Sequence, residues 1–258
     1  MTWDVKQYER FRDERARPFH DLIMRVKPER VRLGADLGCG TGELTAELAA
    51  RWPDAAFTGV DSSAEMLAAA APRAIPGRLE FVQGDAATWS PARPLDLLFS
   101  NATFQWLDDH VDLLASCASA LAPGGVLAVQ MPGNFDAPSH RLLAEARGEG
   151  PWAGKLGGME RGTQVHTPVW YAEQLAALGF EAIDVWESTY VHVLPGDDAV
   201  LEWIKGTALR PILAKLSAVE QPEFLRLLAG KLRLVYPRGA AGTLFPFRRI
   251  FFVATRSP

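Results

Sequence analysis

Cysteine is scarce in this chain of 258 residues, which contains only Cys39 and Cys117. Neither belongs to a Cys-x-x-Cys pair, so the sequence predicts neither a disulfide framework nor a zinc site. Long apolar runs are also missing, since none approaches the ~20 residues of a membrane span. The first residues lack the basic and then apolar pattern of a signal peptide. We therefore expect a cytoplasmic protein with two reduced thiols, no metal and no membrane partner.

Basic residues are in deficit before residue 203 and in excess after it. Residues 203–258 hold ten Lys and Arg against two Glu, a net charge of +8, whereas the whole chain carries −4. A basic C-terminal segment over an acidic core would concentrate an anionic ligand. A charged helix face in solvent explains the same excess. The acidic core offers no basic track for phosphates, which argues against a nucleic-acid partner.

Short apolar runs alternate with helical patterns from residue 33 onward, which is typical of βαβ units around a parallel sheet. With 48% hydrophobic and 22% charged residues, the chain has an ordinary globular composition. The predicted strands are residues 32–37, 56–60, 79–82, 95–100 and 126–131. The predicted helices are residues 43–51, 64–71, 109–121, 139–146 and 168–178.

The two ends of the chain carry patterns of their own. Apolar spacing over residues 8–26 is interrupted by Pro18, which predicts two short helices. A β-rich run at residues 181–194 precedes a helical pattern over residues 197–236 and a last strand at 249–255. The predicted division is a helical lid (1–30), an α/β core (31–196), an inserted helical cover (197–246) and a final core strand (247–258). Such a cover would lie over the crevice where doubly wound sheets bind ligands.

A glycine-rich segment, Gly38-Cys39-Gly40-Thr41-Gly42, joins the first predicted strand to the first core helix. Glycines let the backbone approach a ligand closely, and N–H groups at a helix N-terminus face that ligand. Several nucleotide-binding folds share such a loop. A dinucleotide fingerprint would place Gly at position 43, where this chain has Glu43, and the Lys-Ser/Thr ending of a P-loop is absent.

Acidic residues follow the next two predicted strands. Asp61 lies nineteen residues after Gly42, where a carboxylate can accept hydrogen bonds from ribose hydroxyls, as in dinucleotide enzymes too. Asp85 follows the third strand, where a carboxylate can accept from an adenine amino group. A turn residue at a strand end explains either position alone. The pair favours a ligand that contains adenosine.

The Asp36–Gly42 loop, Asp61, Gly84-Asp85-Ala86 and Pro123-Gly124-Gly125 together resemble class I methyltransferases. The resemblance implies a Rossmann-like, doubly wound α/β sheet of seven strands with the last antiparallel. It also implies S-adenosylmethionine as cofactor and S-adenosylhomocysteine as product. The cofactor-binding residues it implies are Asp36, Gly38, Gly40, Gly42, Asp61, Ser62, Met66, Asp85, Ala86 and Asn101.

A wider resemblance, from Trp3 to about Thr255, is to trans-aconitate methyltransferases. Its matches are scattered outside the cofactor loop, at residues 8, 14–18, 101, 105–106, 125–132, 186, 189, 190, 192, 203, 209–211, 245–246 and 249. Gly133, Ala208 and the inserted pair Phe247-Arg248 depart from the family's pattern. These departures bear on the identity of the substrate more than on the reaction.

The implied reaction esterifies a carboxylate of a small polycarboxylic acid to its monomethyl ester. A carboxylate is ionised at neutral pH, so no residue is required as an acid or base, and positioning supplies the rate. Arginine suits the carboxylates that do not react, because its planar fork pairs with them bidentately. The predicted substrate-positioning residues are Arg210, Arg249, Tyr190, His192, Trp203, Gln105 and Trp106. His110 and His140 are expected to be capping or surface residues.

Other interpretations stay open at this point. A methyltransferase of the same fold with a different carboxylate, hydroxyl or carbon acceptor would share every cofactor motif. An NAD-dependent oxidoreductase is disfavoured by Glu43 and Asp85. A non-catalytic S-adenosylmethionine-binding module would show a damaged loop or cover, and neither is damaged here. For Arg210 or Arg249 alone, an exposed surface charge is the simpler explanation.

Overall fold

The computed structural model describes residues 12–28, 30–159 and 165–258. Its centre is one mixed sheet with the strand order β3-β2-β1-β4-β5-β8-β6. The strands are β1 (Leu33–Leu37), β2 (Ala56–Asp61), β3 (Leu79–Gln83), β4 (Leu95–Asn101), β5 (Leu121–Pro132), β6 (Phe180–Leu194), β7 (Arg238–Gly239) and β8 (Gly242–Arg256). The two-residue strand β7 pairs only with the beginning of β8.

Strands β1 to β5 are parallel, and β8 runs antiparallel to both β5 and β6. The predicted α/β fold with seven principal strands and an antiparallel last strand is therefore confirmed. Strand order reverses between β1 and β4. The connections after these two strands lead to opposite faces of the sheet, which leaves a crevice at their carboxyl ends.

Helices cover both faces of the sheet because side chains alternate along each strand. Leu97 and Phe99 of β4 belong to the apolar cluster on one face, and Leu98 belongs to the cluster on the other. The helices are α1 (Arg12–Ile23), α2 (Glu43–Arg51), α3 (Ala64–Ala70), α4 (His110–Ala120), α5 (Pro138–Gly148), α6 (Ala153–Leu156), α7 (Pro168–Ala177), α8 (Ala199–Lys205), α9 (Arg210–Leu213) and α10 (Glu220–Val235). Helices α1 and α2 pack on the first face, and α4 and α7 pack on the second.

The helical cover has an apolar core of its own. Trp203 of α8 and Phe224 of α10 pack there with Phe245 and Phe247 from the first half of β8. Helices α5 and α6, which precede β6 in the chain, contribute Leu143 and other residues to the same cluster. A cover predicted from residues 197–246 alone omits these two helices, because their contact with α10 is not visible in local sequence.

One continuous helix, α1, stands where two short helices were predicted, and Pro18 lies inside it. A proline within a helix costs about 3 kcal/mol. Phe19, Leu22 and Ile23 are buried against the sheet, and burial of each such side chain contributes roughly 1.5–3 kcal/mol. Packing therefore outweighs the lost hydrogen bond. Residues 1–11 of the predicted lid lie outside the described residues.

The last strand begins at Gly242, not at residue 249 as predicted. Pro246 interrupts the apolar pattern, yet Thr243, Phe245 and Phe247 are buried in alternation with exposed neighbours. The pairing of β8 with β5 extends only as far as Arg249. At Pro246, β8 is therefore paired with β6 alone. A proline is tolerated there because one side of the strand needs no ladder.

Candidate active site

A cavity of about 1010 Å³ lies outside the carboxyl ends of β1 and β4. It is lined by the loops that follow these strands, by Ala16 and His20 of α1, and by residues of the cover. The predicted site residues that line it are Asp36, Gly38, Gly40, Asp61, Ser62, Met66, Asp85, Ala86, Asn101, Gln105, Trp106, Trp203, Arg210 and Arg249. Gly42, Tyr190 and His192 were also predicted, but they are not among the lining residues.

The three loop glycines have different roles, although all have positive φ. A Cβ at Gly38 would lie 1.9 Å from Thr103 Oγ1, and one at Gly42 would lie 2.5 Å from Phe81 Cζ. A Cβ at Gly40 would meet nothing within 4 Å. Gly40 therefore gives its backbone to the cavity, whereas Gly42 permits close packing behind it.

Asp61 ties the glycine loop to the end of β2. One carboxylate oxygen accepts from the Gly40 N–H at 2.9 Å, and the other accepts from the Ser63 N–H at 2.9 Å. Ser63 in turn caps α3, because its hydroxyl accepts from the Met66 N–H. A carboxylate has about four acceptor positions, so Asp61 retains the capacity to accept from a ligand.

Asp36 is a buried acid at the inner wall of the cavity. The Thr45 hydroxyl donates to its Oδ2 at 2.6 Å. Burial raises the pKa of Asp36 to about 7; the Thr45 hydrogen bond opposes this shift, and the charge of Asp61 adds to it. A cation bound beside Asp36 would favour its ionised form.

Asp85 and Ser62 lie at the exposed rim of the cavity. The Asp85 carboxylate accepts from the Ala87 N–H at 2.9 Å, which fixes the turn after β3. The Ser62 carbonyl accepts from the Gln83 side chain at 3.1 Å. The ends of β2 and β3 are thereby held together, with Asp85 accessible to a ligand.

The end of β4 turns sharply towards the cavity. The Ser100 hydroxyl donates to the Leu37 carbonyl at 2.8 Å, which joins β4 to β1. Asn101 follows, and its Oδ1 is buried without a hydrogen-bond partner among the described residues. Ala102 has φ of 58°, a conformation that costs a non-glycine residue roughly 1–3 kcal/mol. This strained turn directs Gln105 into the cavity wall, where its amide nitrogen donates to the Ala102 carbonyl.

His110 is buried, contrary to the expectation of a capping or surface residue. Its Nε2 lies 2.9 Å from the Phe104 carbonyl and its Nδ1 lies 2.7 Å from the Tyr171 hydroxyl. Burial lowers the pKa of His110. The histidine therefore fastens the short helix Phe104–Trp106 from behind, which sequence spacing alone does not reveal.

Arg249 is a buried cation that lines the cavity from β8, a strand separated from β1 and its glycine loop by β4 and β5. It is 4% exposed, and its guanidinium carbon lies 4.9 Å from the centre of the Phe247 ring. Arg249 faces Pro132 across the β5–β8 ladder, at the carboxyl end of β5. Arg210 begins helix α9, with Pro211 in its first turn, and lines the same cavity. The two predicted arginines thus border a single space.

Tyr190 and His192 form a layer behind this end of the cavity. The His192 ring lies 4.7 Å from the ring of Trp203, which does line the cavity. Burial lowers the pKa of His192 to about 4, and the charges of Arg249 and Arg17 add to the effect. The Tyr190 hydroxyl donates to Asp21 at 2.6 Å. These two residues therefore support the wall and do not form it.

Five of the ten basic side chains in residues 203–258 pair with acidic side chains. Arg233 pairs with Asp198 at 2.6 Å, and Arg238 pairs with Asp197 at 2.7 Å. Further pairs join Lys205 to Glu202, Lys231 to Glu149, and Arg248 to Glu187. Among the described residues of this segment, only two basic side chains line the cavity. The predicted attraction of anions therefore depends on Arg210 and Arg249, and much less on the net charge.

Sequence reasoning missed several lining residues, namely His20, Glu47, Asn134, Phe135 and His140. His140, expected at the surface or as a cap, lies against Phe135 with ring centres 5.2 Å apart. Asn134 follows the carboxyl end of β5, a position that doubly wound sheets use for ligands. The sequence could have predicted Asn134 as a site residue, because it follows the carboxyl end of a strand just as Asp61 and Asp85 do.

Comparison with known proteins begins with the class. Residues 35–125 match the family model of a methyltransferase domain. The phosphoethanolamine N-methyltransferase 2 of Haemonchus contortus, solved with S-adenosyl-L-methionine, matches 94% of this chain with a TM-score of 0.57 and 20% identity. The chain spans 53% of that structure. YcgJ of Bacillus subtilis matches 94% of the chain with a TM-score of 0.60 and 14% identity. The fold is that of the class I methyltransferases.

Curated relatives define the family within this class. The trans-aconitate 2-methyltransferase of Streptomyces avermitilis is 51% identical, with 98% of this chain and 96% of the relative covered. That of Azoarcus sp. is 45% identical, with 99% of each covered. The chain therefore belongs to the trans-aconitate 2-methyltransferase family.

In the part of the chain that the structure describes, no helix combines the length and apolar character that a membrane span needs. No group of three His, Cys, Asp or Glu side chains is arranged there to hold a metal ion.

Proposed function

We propose that this protein transfers the methyl group of S-adenosylmethionine to one carboxylate of trans-aconitate, which gives the monomethyl ester and S-adenosylhomocysteine. The observation that carries the proposal is that Arg210 and Arg249 line the same cavity as the glycine loop, with β4 and β5 between Arg249 and the strand that leads into the loop. Each is a guanidinium suited to forked contact with a carboxylate. The names of the curated relatives point to the same substrate.

The residues at the glycine-loop end fit the cofactor. A side chain at Gly40 would project into the open space of the cavity, and glycine leaves that space for a ligand. Asp36 is a buried acid suited to the cofactor's amino group, Asp61 has acceptor positions for ribose hydroxyls, and Asp85 has them for the adenine amino group. Met66 offers an apolar contact for the adenine ring. When bound, S-adenosylmethionine supplies an electrophilic methyl group on a sulfonium.

The charges along the cavity differ between its two ends. Acidic residues at the glycine-loop end are Asp36, Glu43, Glu47, Asp61, Glu65 and Asp85. The basic lining residues include Arg210 of the cover and Arg249 of β8, and the strand order separates Arg249 from β1 by β4 and β5. A cationic cofactor and an anionic substrate would therefore each be attracted to its own end, with the reacting carboxylate between them, near Asn101 and Gln105.

The chain's own contribution to the reaction is orientation and exclusion of water. Arg249 is almost wholly buried, so its attraction for a carboxylate is poorly screened by solvent. Arg210 is the first residue of α9, so the helix fixes the position of its backbone. Holding two reactants in near-attack geometry is worth up to about 7–11 kcal/mol. An ionised carboxylate needs no proton removed before it attacks, so this positioning accounts for catalysis without a general base.

The proposal is tested by competition among acceptors. The enzyme is given an equimolar mixture of small di- and tricarboxylic acids with neutral hydroxyl and amine compounds of similar size, and the methylated products are resolved by mass. We expect methylation of trans-aconitate ahead of every neutral compound, with the Arg249→Ala variant losing that preference. A neutral acceptor that is methylated faster than all the acids would refute the assignment.

A further inference from the structure

Asn134 has a buried amide that makes no hydrogen bond within the described part of the chain. The residue is 3% exposed and lines the cavity. Neither its Oδ1 nor its Nδ2 has a hydrogen-bond partner among the described residues. Buried side-chain amides are nearly always hydrogen-bonded in folded proteins. An amide left without partners at the wall of a ligand cavity therefore indicates a group that the ligand itself satisfies.

The backbone holds Asn134 firmly while its side chain is left unengaged. The Gly133 N–H donates to the Arg248 carbonyl at 2.9 Å, and the Asn134 carbonyl accepts from the Ala137 N–H at 3.0 Å. Gly133 packs so tightly that a Cβ there would lie 2.8 Å from Ile250 Cγ1. The position of Asn134 is thus fixed on both sides by main-chain contacts.

The sheet register places Asn134 at the same end of the cavity as Arg249. Pro132 is opposite Arg249 in the β5–β8 ladder, and Asn134 follows Pro132 by two residues. Both residues line the cavity. A neutral donor therefore stands just after the carboxyl end of β5, and a charged donor stands beside that end on β8.

We propose that the Asn134 Nδ2 donates a hydrogen bond to a substrate carboxylate that does not react, next to the carboxylate held by Arg249. This inference rests on the proposed function and extends it, because it makes Asn134 a residue that distinguishes tricarboxylates from dicarboxylates. A neutral amide suits the task, since it donates to a carboxylate without adding a further buried charge.

Ser139 provides a matched control. It is 1% exposed, and its hydroxyl also lacks a hydrogen-bond partner among the described residues. It lies in the first turn of helix α5, only five residues after Asn134, but it does not line the cavity. If unengaged buried polar groups in this segment serve the fold alone, Ser139→Ala and Asn134→Ala should behave alike.

The test combines changes in the enzyme with changes in the substrate. The kcat/KM values of the unmodified enzyme, Asn134→Ala, Asn134→Asp and Ser139→Ala are measured with trans-aconitate and with dicarboxylates that each lack one of its carboxylates. We expect Asn134→Ala to lower kcat/KM for trans-aconitate by about 10- to 100-fold, the loss typical of a hydrogen bond to a charged group. For the dicarboxylate that lacks the contacted group, the loss should be under about threefold.

The other variants sharpen the result. Asn134→Asp preserves shape and adds negative charge, so it should reduce kcat/KM for the tricarboxylate more than Asn134→Ala does, with an unchanged Kd for S-adenosylmethionine. Ser139→Ala should keep normal kinetics. Equal losses on every substrate, or normal trans-aconitate turnover by Asn134→Ala, would overturn the role of Asn134. Absence of carboxylate methylation by the unmodified enzyme would instead overturn the proposed function.

Discussion

The Nη1 atom of Arg249 lies 3.4 Å from the Oε1 atom of Gln130, and both side chains are buried. The distance is long for a hydrogen bond between a charged donor and an amide oxygen, which is usually 2.7–3.2 Å. Gln130 therefore lies close enough to help orient the guanidinium. Arg249 also lines the cavity, where its positive charge can attract an anionic substrate.

Replacement of Arg249 by Ala should lower kcat/KM for trans-aconitate by about 10²–10³-fold, because a buried charge-assisted contact is lost. Arg249→Lys should recover only part of the activity, since an ammonium cannot reproduce the planar fork. Steady-state kinetics together with calorimetry of cofactor binding separate this effect from damage to the cofactor site.

Arg248 is the matched control for Arg249. It is adjacent in sequence, but its guanidinium pairs at the surface with Glu187 and Asp136. Exposed ion pairs contribute little, so Arg248→Ala should change kcat/KM by less than about threefold. If both alanine variants lost activity equally, the loss would reflect disruption of β8 and not a missing substrate contact.

Asp61→Ala should weaken S-adenosylmethionine binding by about 1–3 kcal/mol, the usual effect of removing a hydrogen-bonded charged group. Part of this loss arises because the Gly40 and Ser63 N–H groups lose their acceptor. Isothermal titration calorimetry measures the change, with Asp54→Ala, an exposed residue away from the cavity, as control. Unchanged affinity in Asp61→Ala would refute the role of this carboxylate.

Gly40→Ala and Gly42→Ala should separate ligand binding from folding. Both positions have positive φ, so each alanine brings roughly 1–2 kcal/mol of backbone strain. Only Gly42→Ala also forces a methyl group against Phe81, which typically costs a further 1–3 kcal/mol or so. Urea unfolding should therefore show the larger destabilisation for Gly42→Ala. Relative to its loss of unfolding free energy, Gly40→Ala should lose more cofactor affinity than Gly42→Ala does. A larger relative loss of affinity in Gly42→Ala would contradict the assigned roles.

Cofactor affinity should depend on pH through Asp36. Its pKa is raised to about 7 by burial, and a cationic amino group binds best to the ionised carboxylate. Affinity should rise by up to about tenfold per unit as pH increases towards 7, and then level off. Asp36→Asn should abolish the slope. A flat profile between pH 5 and 8 in the unmodified protein would contradict this contact.

The raised pKa of Asp36 has the opposite pH dependence in the free energy of unfolding of the protein without ligand. Between the ordinary value of 3.8 and about 7, the folded protein holds a proton on Asp36 that the unfolded chain has released. The free energy of unfolding contributed by this group therefore falls as pH rises through that interval. Urea unfolding of the unmodified protein and of Asp36→Asn at pH 5 and pH 7 measures this contribution by difference.

Much of the fold could be predicted because its signals are local. The apolar runs that became β1 to β5, and the glycine loop after β1, follow from strand length and turn chemistry alone. The unbroken helix through Pro18 and the early start of β8 could not be predicted in this way. Both depend on tertiary facts, namely burial of Phe19 against the sheet and the end of the β5 pairing at Arg249, before it reaches Pro246.

The candidate site divides along the same line. Asp61 and Asp85 stand at strand ends, so their places in the cavity follow from order along the chain. Tyr190 and His192 were predicted to shape the cavity, but they lie behind its wall. His192 packs against Trp203, and the packing of the cover decides that Trp203 is the residue that faces the cavity. Asn134 was missed for a related reason, since its burial without a partner is a property of the folded chain alone.

The central claim is that a carboxylate oxygen receives the methyl group, and the chemistry of the product tests it most directly. The enzyme is incubated with trans-aconitate and S-adenosylmethionine that carries an isotopic label in its methyl group, and the product is treated with mild alkali. We predict a singly methylated acid that releases labelled methanol and returns trans-aconitate, as an ester must. A labelled product that survives alkali with its methyl group in place would contradict the account.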